Sequence, residues 1–178
     1  MRWAMKFPVF FSIFLGISSL HAADPLVNGC AASLVTIRGE SGGRTDGTPW
    51  TSADIKGKVF TLYYVDPDER DLNEPAYQAL KAAKFPDSCA GSIAVINTGA
   101  TWMPDYVLWK LITQKQKEYP KTIYVLDRKK VLVRKWGLAD HSSVILAFDR
   151  QGKVLFLKNG KASDSEIQEL LKVIRENI

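Results

Sequence analysis

The sequence predicts an α/β chain built as a three-layer sandwich, a central mixed sheet with helices on both faces. Three observations carry that prediction. Short, almost wholly apolar runs alternate with amphipathic helical patterns, which is how strands buried on both faces of a mainly parallel sheet read. Their order is β-α-β-α-β. The chain then closes with two strands joined by a turn signature, followed by a helix with its own start signal.

Residues 1–22 are expected to be a secretory signal peptide. Met1-Arg2-Trp3-Ala4-Met5-Lys6 supplies the positive start, an apolar run covers 7–20, and small residues precede Pro25. The run is too short for a stable membrane anchor. Cleavage is expected after Ala22, with Ala23 next best. Asn28-Gly29-Cys30 resembles a lipoprotein acceptor only weakly, because Asp24 and Pro25 separate it from the apolar run. Removing residues 1–22 from the 178 leaves 156, enough for one domain with a real core. Residues 23–178 are read as that domain, with an N-terminal extension over about 23–50. The expected location is the periplasm.

The leader takes two basic residues of 24 and no acid, so 22 stand against 19 acids, a mature charge of +3. That is too mild to argue for nucleic acid. His141 is the one histidine left and Cys30 and Cys89 are the cysteines. This set excludes a histidine-rich metal centre and a closed structural zinc site. No G-x-S-x-G elbow, P-loop or C-x-x-C appears. No metal or other cofactor is expected. An even cysteine count in an oxidising compartment predicts a structural Cys30–Cys89 disulfide. Two free thiols, or a pair that cycles, are the alternatives.

Residues 38–49 are rich in Gly, Ser and Thr and read as a loop. Val59–Val65 is the first core strand, and 92–97, 122–126, 144–148 and 154–157 follow. Asp149-Arg150-Gln151-Gly152 turns the last two into an antiparallel hairpin. Between strands, 73–84 places Tyr77, Leu80 and Ala83 on one helical face, with Pro75 tolerated in the first turn. In 104–119, Val107, Leu108, Leu111 and Ile112 form a stripe, and Pro120 ends it. Residues 131–136 give no clear pattern. Ser163-Asp164-Ser165-Glu166 is a capping box, and Ile167, Leu170, Leu171 and Ile174 follow at helical spacing.

"IKGKVFTLYYV" (55–65) and "WGLADHSSVILAFDRQGKVLF" (136–156) resemble the opening and closing segments of the peroxiredoxin and TlpA-type branch of thioredoxin-like proteins. More narrowly, "ALKAAKFP" (79–86), "IAVINT" (93–98) and "LWKLITQKQKEYP" (108–120) resemble the YtfJ family of bacterial periplasmic proteins. The resemblance spans about 34–177. It implies a thioredoxin-like fold and no assigned reaction.

In thioredoxin-like redox proteins a C-x-x-C follows the first core strand, where the helix start lowers the thiol pKa, and a cis-proline before the hairpin strand faces it. Here Asp66, Pro67, Asp68, Glu69, Arg70 and Asp71 stand at the first place and Ser143 at the second. The resemblance therefore implies a protein without thiol redox catalysis, one that binds a periplasmic protein or peptide. Its expected contact edge is Tyr64, Asp66, Arg70, Trp102 and Ser143, and no catalytic residue is assigned. The alternative is a non-standard oxidoreductase or peroxidase using Cys89, with Cys30 as resolving partner.

Three further patterns have plainer explanations. Asp66, Asp68, Glu69 and Asp71 lack the alternating ligands and central glycine of a calcium loop, and read as acids at a helix start. His141 among Asp140, Ser142 and Ser143 reads as a polar turn, since triad partners converge from separate elements. Trp109 is expected to pack in the core and Trp102 to cap the sheet.

Overall fold

The computed structural model of the protein describes residues 25–178, so the expected signal peptide and its cleavage site lie outside the described residues. Among the described residues eight strands occur: Thr36–Ile37 (β1), Gly42–Arg44 (β2), Trp50–Thr51 (β3), Val59–Val65 (β4), Ala90–Ile96 (β5), Ile123–Asp127 (β6), Ser143–Phe148 (β7) and Val154–Asn159 (β8). Four α-helices accompany them: Glu74–Ala83 (α1), Asp105–Glu118 (α2), Val131–Trp136 (α3) and Asp164–Asn177 (α4). Six strands form one mixed sheet in the order β2-β6-β5-β4-β7-β8, and β1 pairs with β3 apart from it. β4, β5 and β6 run parallel; β7 is antiparallel to β4, and β8 to β7.

β4 lies at the middle because both of its faces are apolar. Leu62 and Tyr64 point to one cluster, with Trp50, Leu132, Trp136 and Phe148 from the extension, α3 and β7. Val59 and Tyr63 point to the other, with α1 and α4 residues such as Ala76, Ile167, Leu170 and Ile174. α2 covers the β5–β6 side through a smaller group, Ile112 with Tyr124 and Leu126.

Two segments differ from the sequence reading. Residues 38–49 are not all loop: β2 lies within them and pairs with β6, Gly43 opposite Leu126. Glycine hides this strand from a propensity reading and is also what permits it. A Cβ on Gly42 would stand 1.8 Å from the Leu126 carbonyl oxygen. Residues 131–136 form α3, a helix held between left-handed Lys130 and Gly137 and too short to show a period.

α4 starts as expected. Ser163 Oγ accepts from the Glu166 N–H (3.3 Å), and Glu166 Oε2 accepts from the Ser163 N–H (2.8 Å). Lys158 Nζ donates to Glu166 Oε1 at 2.8 Å. Lys158 first, then the Ser163 donors, hold the Glu166 carboxyl at about 2, below its ordinary 4.5. A depressed folded-state value means that this carboxylate supports folding above its ordinary range, and the support is lost as pH falls toward 2. Urea midpoints of Glu166→Gln should therefore depend less on pH between 4.5 and 2 than those of the parent. Parallel profiles would refute the assignment.

Candidate functional site

The C-terminal ends of β4, β5 and β6 meet the loop that enters β7, and a polar cluster forms there. At the corner after β4, Asp66 Oδ1 accepts from the Asp68 N–H (2.9 Å) and caps a 3-10 turn over Pro67–Glu69. The Asp66 N–H donates to the Ser142 carbonyl at 2.9 Å. Asp66 Oδ2 lies 3.4 Å from His141 Nδ1. The corner and the loop before β7 thus face each other, as the sequence reading expected.

Asp140 is the second centre. Its Oδ1 accepts from Asn97 Nδ2 (2.9 Å) and its Oδ2 from Lys130 Nζ (2.6 Å). Burial works to raise its pKa, but hydrogen bonds from Lys130, Asn97 and the His141 N–H outweigh it, and the carboxyl sits below its ordinary value. The third centre, Asp127, is wholly buried at the end of β6. Its oxygens accept from the N–H groups of Val131 (2.8 Å) and Leu132 (3.0 Å) at the start of α3, and from the Tyr64 hydroxyl at 3.3 Å. Burial, then the Asp127 charge, pushes the Tyr64 hydroxyl far above its usual range.

Two strained positions border this cluster. Lys130 and His141 have φ of 53° and 49°, a region that non-glycine residues seldom occupy. Asn97 is buried, and its Oδ1 finds no donor among the described residues.

The expected contact edge divides on exposure. Tyr64, Asp66 and Ser143 are buried, so none of the three offers surface to a partner. This corrects their expected role: Tyr64 and Asp66 hold the cluster together, and Ser143 Oγ accepts from Asn73 Nδ2 at 3.1 Å. Arg70 keeps 44% of its side chain exposed. Trp102 does not cap the sheet; it is 99% exposed in the loop after β5. Trp109 is not core either, since it lies half-exposed on the outer face of α2. The α2 stripe points inward through Leu108 and Ile112, which leaves Tyr106 and Trp109 outward.

Asp127, Asn97 and Lys130 had no assigned role in the sequence reading, and Asp140 was read only as part of a polar turn. A signal was present for Asp127: an acid closing the apolar run "IYVLD" marks the carboxyl end of a parallel strand, where such sheets place their sites. The acids of the corner do not gather. Asp66 turns inward, while Asp71 turns out beside Arg70, with Oδ2 3.5 Å from Nε.

The expected Cys30–Cys89 bridge is also corrected. Both cysteines are free thiols. Cys89 directly precedes β5, and its carbonyl accepts from the Val59 N–H. Cys30 lies along the outer side of β8, its carbonyl accepting from the Val154 N–H. With β4, β7 and β8 between them, the two stand on the order of 19 Å apart at one strand spacing per step. A disulfide needs Cα atoms within about 7 Å. The same separation removes Cys30 as a resolving partner for Cys89. Both lie at the end of the sheet opposite the Asp66 corner. Alkylating the unreduced native protein should add one adduct at each cysteine in the intact mass. A species that takes up label only after reduction would overturn this placement.

A family model described as "Bacterial protein of unknown function (YtfJ_HI0045)" matches residues 40–177. An uncharacterized protein of Haemophilus influenzae is 31% identical over 137 residues, 75% of this chain and 74% of that one. The uncharacterized protein YtfJ of Escherichia coli K12 is 24% identical over 131 residues, 71% of each. Among solved structures, the exposed lipoprotein thioredoxin Etrx1 of Streptococcus pneumoniae superposes with a TM-score of 0.57 at 16% identity, covering 81% of this chain and 99% of that one. That likeness establishes a thioredoxin-like fold.

Proposed function

Because the chain belongs to the YtfJ family of bacterial proteins and has a thioredoxin-like fold, we propose that it is a periplasmic binding or accessory protein that works without thiol chemistry. The observation that carries this reading is the state of the corner after β4. A self-capped acidic turn fills the place where the fold offers a thiolate its helix start, and both cysteines lie at the far end of the sheet. Folds host unrelated functions, and a corner with no thiol at its helix start favours action by contact.

The contact edge is redrawn around exposed groups at that end of the sheet. Trp102, with Tyr106 beside it at 76% exposure, supplies the large apolar area that protein contacts use as anchors. Arg70 and His141 supply polar neighbours, with side chains 44% and 65% exposed. The occupant this suits is a protein or extended peptide.

A pull-down from periplasmic extract tests it. The protein should capture a discrete partner, lose it in Trp102→Ala with Arg70→Glu, and keep it in Cys89→Ser. Equal capture by every variant, or none by the parent, refutes the contact edge. Insulin reduction or peroxide consumption that disappears in Cys89→Ser would replace this reading with an enzyme.

A further inference from the structure

The face of the sheet opposite α3 is incompletely covered. α1 packs with α4 in one apolar cluster, α2 in another, and the two clusters are not joined. Between the helices runs a cavity of about 1250 Å³. Its floor is Tyr63, Ala94 and Tyr124 from β4, β5 and β6; Tyr77 and Leu80 wall it on the α1 side, and Leu111 on the α2 side. Ala94 and Leu111 keep partial exposure there, an apolar surface that no part of the described chain covers.

Above, the cavity is bridged by ion pairs, a hydrogen bond and the Lys81 ammonium 4.8 Å over the Tyr119 ring. Lys115 Nζ lies 3.5 Å from Glu74 Oε2, Lys81 Nζ 3.7 Å from Glu118 Oε1, and Gln78 Nε2 3.4 Å from the Tyr119 hydroxyl. All are long and part-exposed, and such links are individually weak. They can part without disturbing either apolar cluster.

Shape and charge define the occupant. The cavity follows β4 from Lys58 at one end to Pro67 and Arg70 at the other, which at the strand rise is roughly 25 Å. An acyl chain of one membrane leaflet spans about half of a ~30 Å hydrocarbon core, so a single chain and its head group fit lengthwise. Six basic side chains line the cavity against three acidic ones, which favours an anionic head. At the Lys58 end, Lys121 is already paired with Asp87. At the other end Arg70 is held by a 3.5 Å pair with the mostly exposed Asp71 and a 3.3 Å donation to the Pro67 carbonyl, part-exposed partners weak enough for a head group to compete with.

We propose that the channel between α1 and α2 binds one long-chain acyl amphiphile lengthwise, with its anionic head at Arg70 and its chain on Tyr63, Ala94 and Leu111. The channel is distinct from the Trp102 surface of the partner-binding reading; Arg70 borders both, while Ala94 and Leu111 belong to the channel alone.

Titration of the purified, delipidated protein with the fluorescent fatty acid cis-parinarate, displaced by palmitate, lysophosphatidylglycerol or hexadecanol, tests the site. Binding is expected, and each loss of two methylenes from the displacing fatty acid should weaken it roughly tenfold. Arg70→Gln should weaken palmitate and leave hexadecanol unchanged. Displacement by palmitate alone would identify a free fatty acid, and displacement by both anions a site indifferent to the head's chemistry; either result supports the site. Ala94→Phe fills the floor and Leu111→Phe narrows the wall. Each should reduce binding at least tenfold while the melting temperature shows the variant folded. Two variants from different elements guard against one that does not fold. Absence of binding overturns the proposal. So does binding that survives both filling variants, or that disappears in Trp102→Ala instead. Because the filling variants leave both Trp102 and Arg70 untouched, failure here and failure of partner capture are separate results.

Discussion

Asp127→Ala is expected to lower folding stability by about 3 kcal/mol or more. The wild-type carboxylate is fully buried and receives two N–H groups from the first turn of α3 and the Tyr64 hydroxyl. Truncation strands all three donors, and each buried, unsatisfied group costs about 1–3 kcal/mol. Releasing a buried charge returns part of that loss, so the effect is smaller than the sum. Asp127→Asn keeps an acceptor and should cost less. Urea unfolding, with unchanged slope and a lower midpoint, is the measurement. A shift under about 1 kcal/mol would show that the helix start does not need this cap. A second readout is independent of stability: with the neighbouring negative charge gone, the Tyr64 hydroxyl should ionise at a lower pH than in the parent.

Asn73→Ala should cost about 2–4 kcal/mol by the same reasoning. Asn73 is buried at the entry to α1. Its Nδ2 donates to Ser143 Oγ and to the Gly160 carbonyl, both at 3.1 Å, and its Oδ1 accepts from the Ala162 N–H at 2.9 Å. One side chain thus fastens α1, the start of β7 and the β8–α4 connection. Asn73→Asp separates polarity from shape. It cannot donate to the Gly160 carbonyl unless protonated, and burial favours the neutral acid. A carboxyl whose folded-state pKa is raised contributes stability at low pH and loses it as pH rises. Asn73→Asp should therefore recover stability relative to the parent on acidification, whereas Asn73→Ala should not. Equal pH profiles for the two variants would show that the hydrogen bonds of Asn73 are not what holds the three segments.

Much of the fold was legible because the central strands and the last helix carry strong local signals. "VFTLYYV" is apolar on both faces, and β4 occupies the middle of the sheet. The hairpin turn closes as its residues imply: the Gly152 N–H donates to the Asp149 carbonyl, and Asp149 Oδ1 accepts from the Gln151 and Lys153 N–H groups. What was not legible depends on relations between distant segments. A strand buried on both faces has no alternation to say that Tyr64 turns inward toward Asp127. Two cysteines in a sequence carry no strand order, and it is the order β5-β4-β7-β8 that holds Cys89 and Cys30 apart. Trp109 sits near an apolar stripe, yet its exposure was decided by which side of α2 meets the sheet.

The N-terminal segment touches both margins of that sheet. Ala31 bridges Lys153 beside β8, and Gly42–Arg44 pairs with the far side of β6. Residues synthesised early thus wait for partners more than eighty positions downstream. Contacts of such long sequence separation form slowly, because loop closure precedes any reward. The central strands are therefore expected to assemble first, with two unpaired edges open to other chains until the strap arrives. The earliest part of this domain to be made should thus be the last to be fastened, and its arrival should close the edges through which the chain could join others.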